Sequence, residues 1–416
     1  MRDFLPAEKA RREHVLSVIR DTFRAHGFDE IETPVVEDSD RLHAGLGGDN
    51  EKLSYAVMRR DLKDEDLQQA AASGNALDLA DLGLRFDLTV PLARFYASHR
   101  GELPGVFRAI QLGSVWRAER PQKGRYRQFV QCDIDIIGEA GPLAEIELIT
   151  ATAASLEALG FVGENACTIR INDRRILRRI VDALGIADSA YERALITIDK
   201  EDKIGVPGVV QELVANGLGD AATLTPVLEG LRSIAGDGWE LVDSPPDWLD
   251  LEAYRELLAI RDAVDGSARL VFSPNLVRGM GYYTGTIFEV SHPALPYSLG
   301  GGGRYDGMIG RFLGSDVPAA GFSLGFERLV ELVTLPEDAS ANAVALVYDA
   351  EVDPARLTRI KSELIGSGIR TSLARRTRNT TAQLEQLAAA GYPRFAFVDA
   401  TTGSAADLEI RNIGAQ

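Results

Sequence analysis

The residues best suited to chemistry lie in one stretch, residues 115–135, which places arginines, carboxylates and an amide at alternating positions. Arg117 and Glu119 are two residues apart, so in an extended strand both side chains point to the same face. A guanidinium suits a phosphate, and we interpret the carboxylate as a group that reads an exocyclic amine. The alternative for the pair alone is a cross-strand ion pair on a solvated sheet.

The second half of this stretch alternates between polar and apolar side chains, as a strand with one wet and one dry face does. The polar face holds a glutamine and two aspartates: Gln131, Asp133 and Asp135. The opposite face holds Val130, Cys132, Ile134 and Ile136. A strand with so apolar a second face is expected to be covered on both sides, so the polar face lines a cavity for a cationic or hydrogen-bond-donating ligand. The alternative is polarity on an exposed edge strand.

The loop between the two strands is densely basic, with Arg120, Lys123, Arg125 and Arg127. On a chain with a formal charge of −17, four basic residues in one loop favour binding of an anion such as a polyphosphate. The alternative is a solvated basic turn.

Three further segments combine glycine with charged or aromatic residues: 278–285, 300–307 and 321–329. Glycine permits close approach of a ligand or of another backbone. The first segment sets Arg278 beside two tyrosines, and the third carries Arg328 into a helix. The second has four consecutive glycines but lacks the Lys-Ser/Thr of a Walker loop. It is either a phosphate loop or a flat strand beneath a ligand.

The elements that position these residues are predicted from hydrophobic periodicity. An amphipathic helix is expected at 7–26, followed by strands at 28–36, 84–89, 106–117 and 128–137. A mostly helical region spans 174–263, after which strand patterns return at 270–272, 282–290 and 321–324. Beyond a linker at 335–338, strands and helices alternate to residue 398 and predict a small α/β domain.

Composition excludes several classes of protein. No apolar run approaches the roughly 20 residues of a membrane span, and the N-terminal residues have no apolar signal region, so a cytoplasmic location is expected. The two cysteines form no CxxC pattern and the five histidines share no motif, so we expect neither a disulfide framework nor a metal site. The negative charge argues against non-specific coating of nucleic acid. From residue 342 onward basic and acidic residues nearly balance, which suggests a C-terminal domain with a different partner.

Taken together and in order, these segments resemble class II aminoacyl-tRNA synthetases, and specifically the histidyl-tRNA synthetase family. Residues 27–34 (GFDEIETP) resemble the first class II motif, residues 117–135 the second and residues 321–328 the third. Residues 278–283 (RGMGYY) and 302–307 (GGRYDG) resemble the two histidine-specific motifs. The resemblance covers nearly the whole chain.

The fold that this resemblance implies is α+β: an antiparallel sheet flanked by helices, with a helical insertion and a C-terminal α/β domain of the anticodon-binding kind. The expected divisions are a first part of the catalytic core at 1–170, the insertion at 171–265, a second part of the core at 266–334 and the C-terminal domain at 340–416. That last domain is expected to lack its final helix. The first motif implies a homodimer.

The implied reaction has two steps. The carboxylate of L-histidine attacks the α-phosphate of ATP, with Mg²⁺ accompanying the nucleotide, to give histidyl-adenylate and pyrophosphate. The histidyl group then passes to tRNA(His). No membrane partner and no metal ligand of the protein are expected.

The resemblance also assigns roles to residues. Arg278 and Arg117 are expected to be catalytic, and Arg117, Glu119 and Arg328 are expected to bind ATP. The residues expected to bind histidine are Asp87, Leu88, Thr89, Arg117, Gln131, Asp135, Arg278, Tyr282 and Tyr283. A carboxylate with a phenol complements an imidazole, which offers one donor and one acceptor when it is neutral. Asp133 receives no ligand role.

Three positions depart from the family pattern. Gly281 stands where the histidine motif commonly has aspartate, which removes a supporting hydrogen bond. Asp87 and Asp135 stand where many bacterial members have glutamate, so the carboxylates of the pocket are carried on shorter side chains. The chain ends at Gln416, before the last helix that the family usually has.

Two other functions remain open at this stage. The first is a histidine-binding regulatory subunit of ATP phosphoribosyltransferase, a non-catalytic paralogue that usually lacks the C-terminal domain and the ATP-handling arginines. The second is an RNA-binding or scaffold protein on a synthetase fold, which predicts the loss of the ATP ligands. The presence of Arg117, Glu119, Arg278 and Arg328 favours the ligase over both.

Overall fold

The computed structural model describes residues 1–43, 54–119, 126–234, 237–278, 281–334 and 342–414. Most of the basic loop, residues 120–125, lies outside these ranges, as do Gly279 and Met280. The chain divides into two units: residues 1–2 with 15–333, and residues 3–14 with 334–416. None of the helices in the described ranges has the length and apolar content that crossing a bilayer requires.

The first unit is built on a mixed eight-stranded sheet in the order β1-β5-β6-β11-β10-β9-β7-β8, with a separate antiparallel sheet in the order β2-β4-β3. The strands are β1 (Asp29–Glu30), β2 (Val36–Asp38), β3 (Tyr55–Met58), β4 (Ala80–Leu84), β5 (Phe107–Trp116), β6 (Gln128–Ile137), β7 (Thr168–Asp173), β8 (Leu270–Phe272), β9 (Thr286–Ser291), β10 (Gly300–Arg304) and β11 (Ala319–Gly325). The neighbours from β5 to β7 are antiparallel, while β1 and β8 join the two edges in parallel.

Helices flank this sheet, which confirms the predicted α+β class. They are α1 (Pro6–Ala25), of which residues 15–25 belong to this unit, α2 (Ser39–His43), α3 (Asp64–Ser73), α4 (Thr89–His99), α5 (Leu143–Ala158), α6 (Arg174–Ala183), α7 (Tyr191–Ile198), α8 (Glu201–Ala215), α9 (Ala221–Arg232), α10 (Leu251–Val264), α11 (Asp306–Leu313) and α12 (Phe326–Leu332). The run from α6 to α10 lies between β7 and β8, as the helical pattern predicts. We call it the helical insertion.

β5 and β6 are neighbours in this sheet and confirm the strands predicted at 106–117 and 128–137. Ten consecutive residue pairs join the two strands, from Phe107 opposite Ile137 to Trp116 opposite Gln128. The apolar face of β6, with Cys132, Ile134 and Ile136, is fully buried in the main hydrophobic core. Because side chains alternate along a strand, Gln131, Asp133 and Asp135 must then share the other face.

The predicted strand at 84–89 is wrong. β4 ends at Leu84 and α4 begins at Thr89, so the residues between them form a connection that leads into the helix. Asp87 Oδ1 accepts a hydrogen bond from the Val90 amide at 3.2 Å, and Gln111 Nε2 donates to the Leu88 carbonyl at 2.9 Å. Phe86 and Leu88 are both buried, so the connection has the apolar alternation of a strand without its pairing.

The second unit contains a four-stranded sheet in the order β13-β12-β14-β15, parallel except for β15. Its elements are β12 (Ala343–Tyr348), α13 (Pro354–Gly366), β13 (Arg370–Arg375), α14 (Thr380–Ala389), β14 (Arg394–Val398) and β15 (Arg411–Asn412). The alternation of strands and helices predicted for this part of the chain is confirmed. The domain boundaries that the sequence suggests stay a prediction.

The four-glycine run forms strand β10, between β9 and β11. A Cβ atom on Gly302 would collide with the carbonyl oxygen of Gly321 on the neighbouring strand and lie 2.8 Å from the Phe322 Cα. Backbone atoms cannot swing aside as a flexible side chain can. Glycine at 302 is therefore required for β10 to pair with β11 at this point.

We predict that Gly302→Ala destabilises the protein by roughly 1–3 kcal/mol, because the added methyl group overpacks the sheet. The matched control is Gly230→Ala in α9, where an added Cβ meets no atom within 4 Å. That change is expected to stabilise the helix by up to about 1 kcal/mol. Thermal or chemical denaturation measures both variants, and equal stability of the two would contradict the assignment.

Candidate active site

The polar face of β6 lines a cavity of about 320 Å³ that also involves β10, β11 and the start of α12. The structure places here all of the site residues expected from the sequence except Leu88: Asp87, Thr89, Arg117, Glu119, Gln131, Asp135, Arg278, Tyr282, Tyr283 and Arg328. The Leu88 side chain is buried and is not among the lining residues. Its carbonyl accepts a hydrogen bond from Gln111, which is not among the lining residues either.

One side of this cavity, which we call the acidic end, is formed by Asp87, Gln131, Asp133 and Asp135. All four side chains are buried. Tyr305 Oη donates to Asp135 Oδ1 at 2.6 Å. A Cβ atom on residue 321 would overlap that same oxygen, so Gly321 on β11 leaves the space in which the Asp135 carboxylate lies.

Three acceptor atoms at the acidic end have no hydrogen-bond partner among the described residues: Asp87 Oδ2, Gln131 Oε1 and Asp133 Oδ1. Their neighbouring atoms are satisfied, since Gln131 Nε2 donates to Ser323 Oγ at 3.1 Å and to Asp133 Oδ2 at 3.3 Å. Buried polar atoms are normally paired, because an unpaired one forfeits its hydration. A ligand that fits here must therefore supply several donors, as an ammonium group does.

Burial raises the pKa of each aspartate at the acidic end. The pKa of Asp87 rises to about 6, and the Val90 amide and Arg117 partly oppose the rise. The pKa of Asp135 rises to about 7, with the Tyr305 hydroxyl opposing it. For Asp133 burial and the nearby Asp135 carboxylate raise the pKa well above its ordinary value. A bound cation would offset the cost of ionising these groups.

Two arginines, Arg117 and Arg328, line the same cavity and form, with Glu119, what we call the arginine end. Arg117 Nε donates to the Phe86 carbonyl at 3.0 Å, and its guanidinium lies 5.0 Å from the centre of the Phe129 ring. Arg328 donates to the Ser298 carbonyl, and its guanidinium lies 4.7 Å from the centre of the Tyr297 ring. A flat guanidinium held on an aromatic face suits a planar base or a phosphate.

The hairpin between β5 and β6 is held at its base by two bonds. The Arg117 amide donates to the Arg127 carbonyl at 2.9 Å, and Arg127 Nε donates to the Glu119 carbonyl at 3.2 Å. Arg127 is exposed, whereas Glu119 lines the cavity. The other basic residues of the loop, Arg120, Lys123 and Arg125, lie outside the described residues, so the expected anion contact of the loop stays a prediction.

Arg278 reaches the cavity from the segment before β9. Its Nη1 donates to Glu289 Oε2 at 2.9 Å, and a Cβ atom on Gly301 would lie 2.7 Å from the guanidinium carbon. Burial lowers the pKa of Arg278, but Tyr283 and Glu289 outweigh it, so the net pKa lies above the ordinary value and the charge is permanent. The Tyr282 and Tyr283 rings lie beside it, 4.8 Å apart.

Some lining residues were not predicted as ligands. Asp133 lies on the same strand face as its neighbours, as the alternation showed, but the resemblance gave it no role. Tyr305 lies in the glycine-rich segment at 302–307, and its contact with Asp135 joins positions 170 residues apart that no local pattern connects. Among the described residues no group of three or more His, Cys, Asp or Glu side chains is arranged to hold a metal.

This arrangement can hold two unlike reactants side by side. The acidic end suits a ligand with an ammonium group and a hydrogen-bonding ring, while the arginine end suits a nucleotide with its phosphates. Arg278 provides a further fixed positive charge in the same cavity. Arg117 and Glu119 directly follow β5, and three residues of the acidic end lie on β6, so the pairing of these two strands holds the two reactants side by side.

Comparisons with known proteins agree with this geometry. A family model described as histidyl-tRNA synthetase matches residues 1–329. A protein of Leifsonia xyli subsp. xyli named histidine–tRNA ligase is 59% identical over 415 residues, which cover 98% of this chain and 96% of the relative. A protein of Porphyromonas gingivalis with the same name is 34% identical over 99% of this chain and 94% of the relative.

Solved structures show the same fold. The crystal structure of histidyl-tRNA synthetase from Nostoc sp. PCC 7120 superposes with a TM-score of 0.77 at 26% identity, and covers 99% of this chain and 93% of that one. A structure titled as an ATP phosphoribosyltransferase regulatory subunit/histidyl-tRNA synthetase from Bacillus halodurans C has a TM-score of 0.74 at 20% identity over 97% of both chains, which supports the fold alone. The family model matches most of this chain, and the two relatives align with almost all of it. This chain therefore belongs to the histidyl-tRNA synthetase family.

Proposed function

We propose that this chain is a histidine–tRNA ligase, which activates L-histidine with ATP and transfers the histidyl group to tRNA(His). The observation that carries the proposal is one cavity with two chemically opposite ends. Unpaired acceptors line the acidic end, and guanidinium groups line the arginine end. Histidine and ATP are reactants that need these two environments next to each other.

Histidine occupies the acidic end. Its α-ammonium lies among Asp87, Thr89 and Gln131, where it donates hydrogen bonds to the unpaired acceptor atoms of Asp87 and Gln131. Its imidazole faces Asp135 and Tyr283, a carboxylate and a phenol that satisfy a ring with one donor and one acceptor. A site that hydrogen-bonds its substrate in this way strongly rejects apolar isosteres, since they would leave its polar groups unpaired.

ATP occupies the arginine end. Arg117 holds the α-phosphate, Glu119 reads the adenine amine, and Arg328 packs on the base and reaches the γ-phosphate. Arg278 lies against the histidine carboxylate and the α-phosphate, where its fixed charge stabilises the negative charge that develops as the carboxylate oxygen attacks phosphorus and pyrophosphate departs.

Magnesium accompanies ATP in this proposal. Among the lining residues, Glu327 would offer carboxylate oxygens, the hard ligands that Mg²⁺ accepts one or two at a time beside phosphate oxygens and water. This residue would fit an ion that arrives with the nucleotide. When bound, the ion neutralises phosphate charge.

The remaining partners follow from family membership. The second unit is proposed to bind the anticodon part of tRNA(His), and its near-neutral charge is compatible with an RNA contact that the acidic first unit would repel. A homodimer and a cytoplasmic location are proposed on the same basis. Both cysteines, Cys132 and Cys167, are free thiols, as in a reducing compartment.

The regulatory-subunit function is less supported. It predicts a site that keeps histidine binding and gives up ATP handling, yet Arg117, Arg278 and Arg328 all line the cavity together with Glu119. It also usually lacks a C-terminal domain, and this chain has a separate second unit.

The purified protein is predicted to catalyse exchange of pyrophosphate into ATP that depends on L-histidine. Formation of the adenylate is reversible, so labelled pyrophosphate enters ATP only when the amino acid is activated. L-Alanine and L-phenylalanine serve as matched controls and are expected to support no exchange. Tight binding of histidine without exchange would favour the regulatory function instead.

Arg278→Ala is predicted to slow exchange by more than about tenfold, equivalent to about 1.4 kcal/mol of transition-state stabilisation. Histidine binding, which the acidic end provides, should remain measurable by calorimetry. The control is Arg108→Ala. Arg108 is also paired with a carboxylate, that of Glu147, but it does not line the cavity. A smaller loss in Arg278→Ala would show that this residue does not stabilise the charge.

The buried carboxylates also predict how stability varies with pH when no ligand is bound. Burial raises the pKa of Asp135 to about 7 from an ordinary 3.8. Below about pH 3.8 the group is protonated in both the folded and the unfolded protein, and its ionisation costs no stability. As the pH rises from there through 7, the unfolded chain ionises more readily than the folded protein, so the free energy of unfolding falls. Asp135→Asn cannot ionise and should melt at a higher temperature than the wild type at pH 8, with the difference shrinking toward pH 4. Exposed Asp81→Asn is the control, and a lower melting temperature of Asp135→Asn at pH 8 would contradict the argument.

A further inference from the structure

The side of Arg278 that faces away from the substrates contacts a carboxylate with no assigned role. Glu289 on β9 pairs with Arg278 Nη1 at 2.9 Å, and it lines a separate cavity of about 40 Å³ instead of the active-site cavity. Glu289 lies opposite Gly301 on β10, the glycine over which the Arg278 guanidinium lies. Arg278 is thus held by a carboxylate and by a flat stretch of backbone.

Glu289 is held in turn by a second arginine. Arg170 Nη1 on β7 lies 3.6 Å from Glu289 Oε1, the oxygen that Arg278 leaves unused. Arg170 Nη2 donates to Ser273 Oγ at 2.7 Å and to Asn275 Oδ1 at 3.3 Å. Because both oxygens of Glu289 face a fixed cation, the carboxylate has little freedom to rotate.

This chain of contacts continues into the helical insertion. Asn275 Nδ2 donates to Glu201 Oε2 at 2.5 Å, and Glu201 is the first residue of α8. The small cavity lies along the same chain and is lined by Arg170, Glu201, Asn275 and Glu289, with Asp199 and Ile198. The position of Arg278 is therefore coupled through Glu289 to an element that does not itself line the active site.

We propose that Glu289 is a positioning residue for the reaction: it sets the Arg278 guanidinium at the place where charge develops, and Arg170 braces it from the insertion side. The proposal rests on the ligase function proposed above. Misplacing a catalytic group by about 1 Å is enough to slow a reaction roughly a hundredfold. The negative charge of Glu289 also offsets the mutual repulsion of Arg170 and Arg278, so neutralising it would displace Arg278 from its place.

The matched control is another arginine–carboxylate pair of the same unit. Arg108 binds Glu147 through two bonds of 2.6 and 2.7 Å, and the exposed fractions of these side chains, 29% and 25%, are close to the 24% and 21% of Arg278 and Glu289. Neither residue lines the active-site cavity. Glu147→Gln therefore makes the same chemical change in a similar environment without touching Arg278.

The test measures single-turnover formation of histidyl-adenylate, together with histidine affinity by calorimetry and thermal stability. Glu289→Gln should slow adenylate formation roughly tenfold to a hundredfold, while Glu147→Gln stays within about twofold of the wild type. The histidine dissociation constant of Glu289→Gln should rise no more than that of Arg278→Ala, since the acidic end is intact. A general loss of structure would instead weaken histidine binding and lower the melting temperature.

A double-mutant cycle then asks whether Glu289 acts through Arg278. Adding Glu289→Gln to Arg278→Ala should slow the reaction less than about twofold further, because the group to be positioned is gone. If Glu289→Gln alone fails to fold, Arg170→Gln replaces it and should slow adenylate formation in the same non-additive way. Two results would overturn the positioning role while the ligase function stands. One is an equal rate of adenylate formation in Glu289→Gln and Glu147→Gln, and the other is additive slowing in the double variant. A wild-type protein that forms no adenylate would overturn both.

Discussion

The register of β6 between β5 and β11 is the constraint on which the rest of the site depends. Because side chains alternate along a strand, a slip of one residue would turn Gln131, Asp133 and Asp135 into the core and expose the apolar residues between them. Antiparallel pairing on both sides prevents that slip, over ten residue pairs with β5 and seven with β11. The burial of two isoleucines and a cysteine on one face thus fixes where the polar groups of the other face lie.

The polar groups of this site lower the stability of the protein when no ligand is bound. Three aspartates are withdrawn from water within one cavity, and burial raises the pKa of each. Unpaired acceptors at Asp87, Gln131 and Asp133 add to that cost. A cationic substrate satisfies these groups and repays the cost on binding.

Much of this was predictable from local pattern. The β5–β6 pair, the helical insertion and the alternating elements of the second unit follow from periodicity, and the family resemblance drew together arginines and carboxylates far apart in sequence. The connection at 85–88 was taken for a strand, since buried Phe86 and Leu88 alternate as strand residues do. The Asp135–Tyr305 contact depends on which strands become neighbours, and the Arg278–Glu289 contact depends on how the segment before β9 folds back onto that strand; the sequence spacing reveals neither.

The central claim is that one cavity holds histidine at its acidic end and the phosphates of ATP at its arginine end. A crystal structure of this protein with L-histidine and a non-hydrolysable ATP analogue tests it most directly. The account predicts the histidine ammonium within hydrogen-bond distance of Asp87 and Gln131, and the α-phosphate against Arg117 and Arg278. Histidine bound outside this cavity, or phosphates placed against the aspartates, would contradict it.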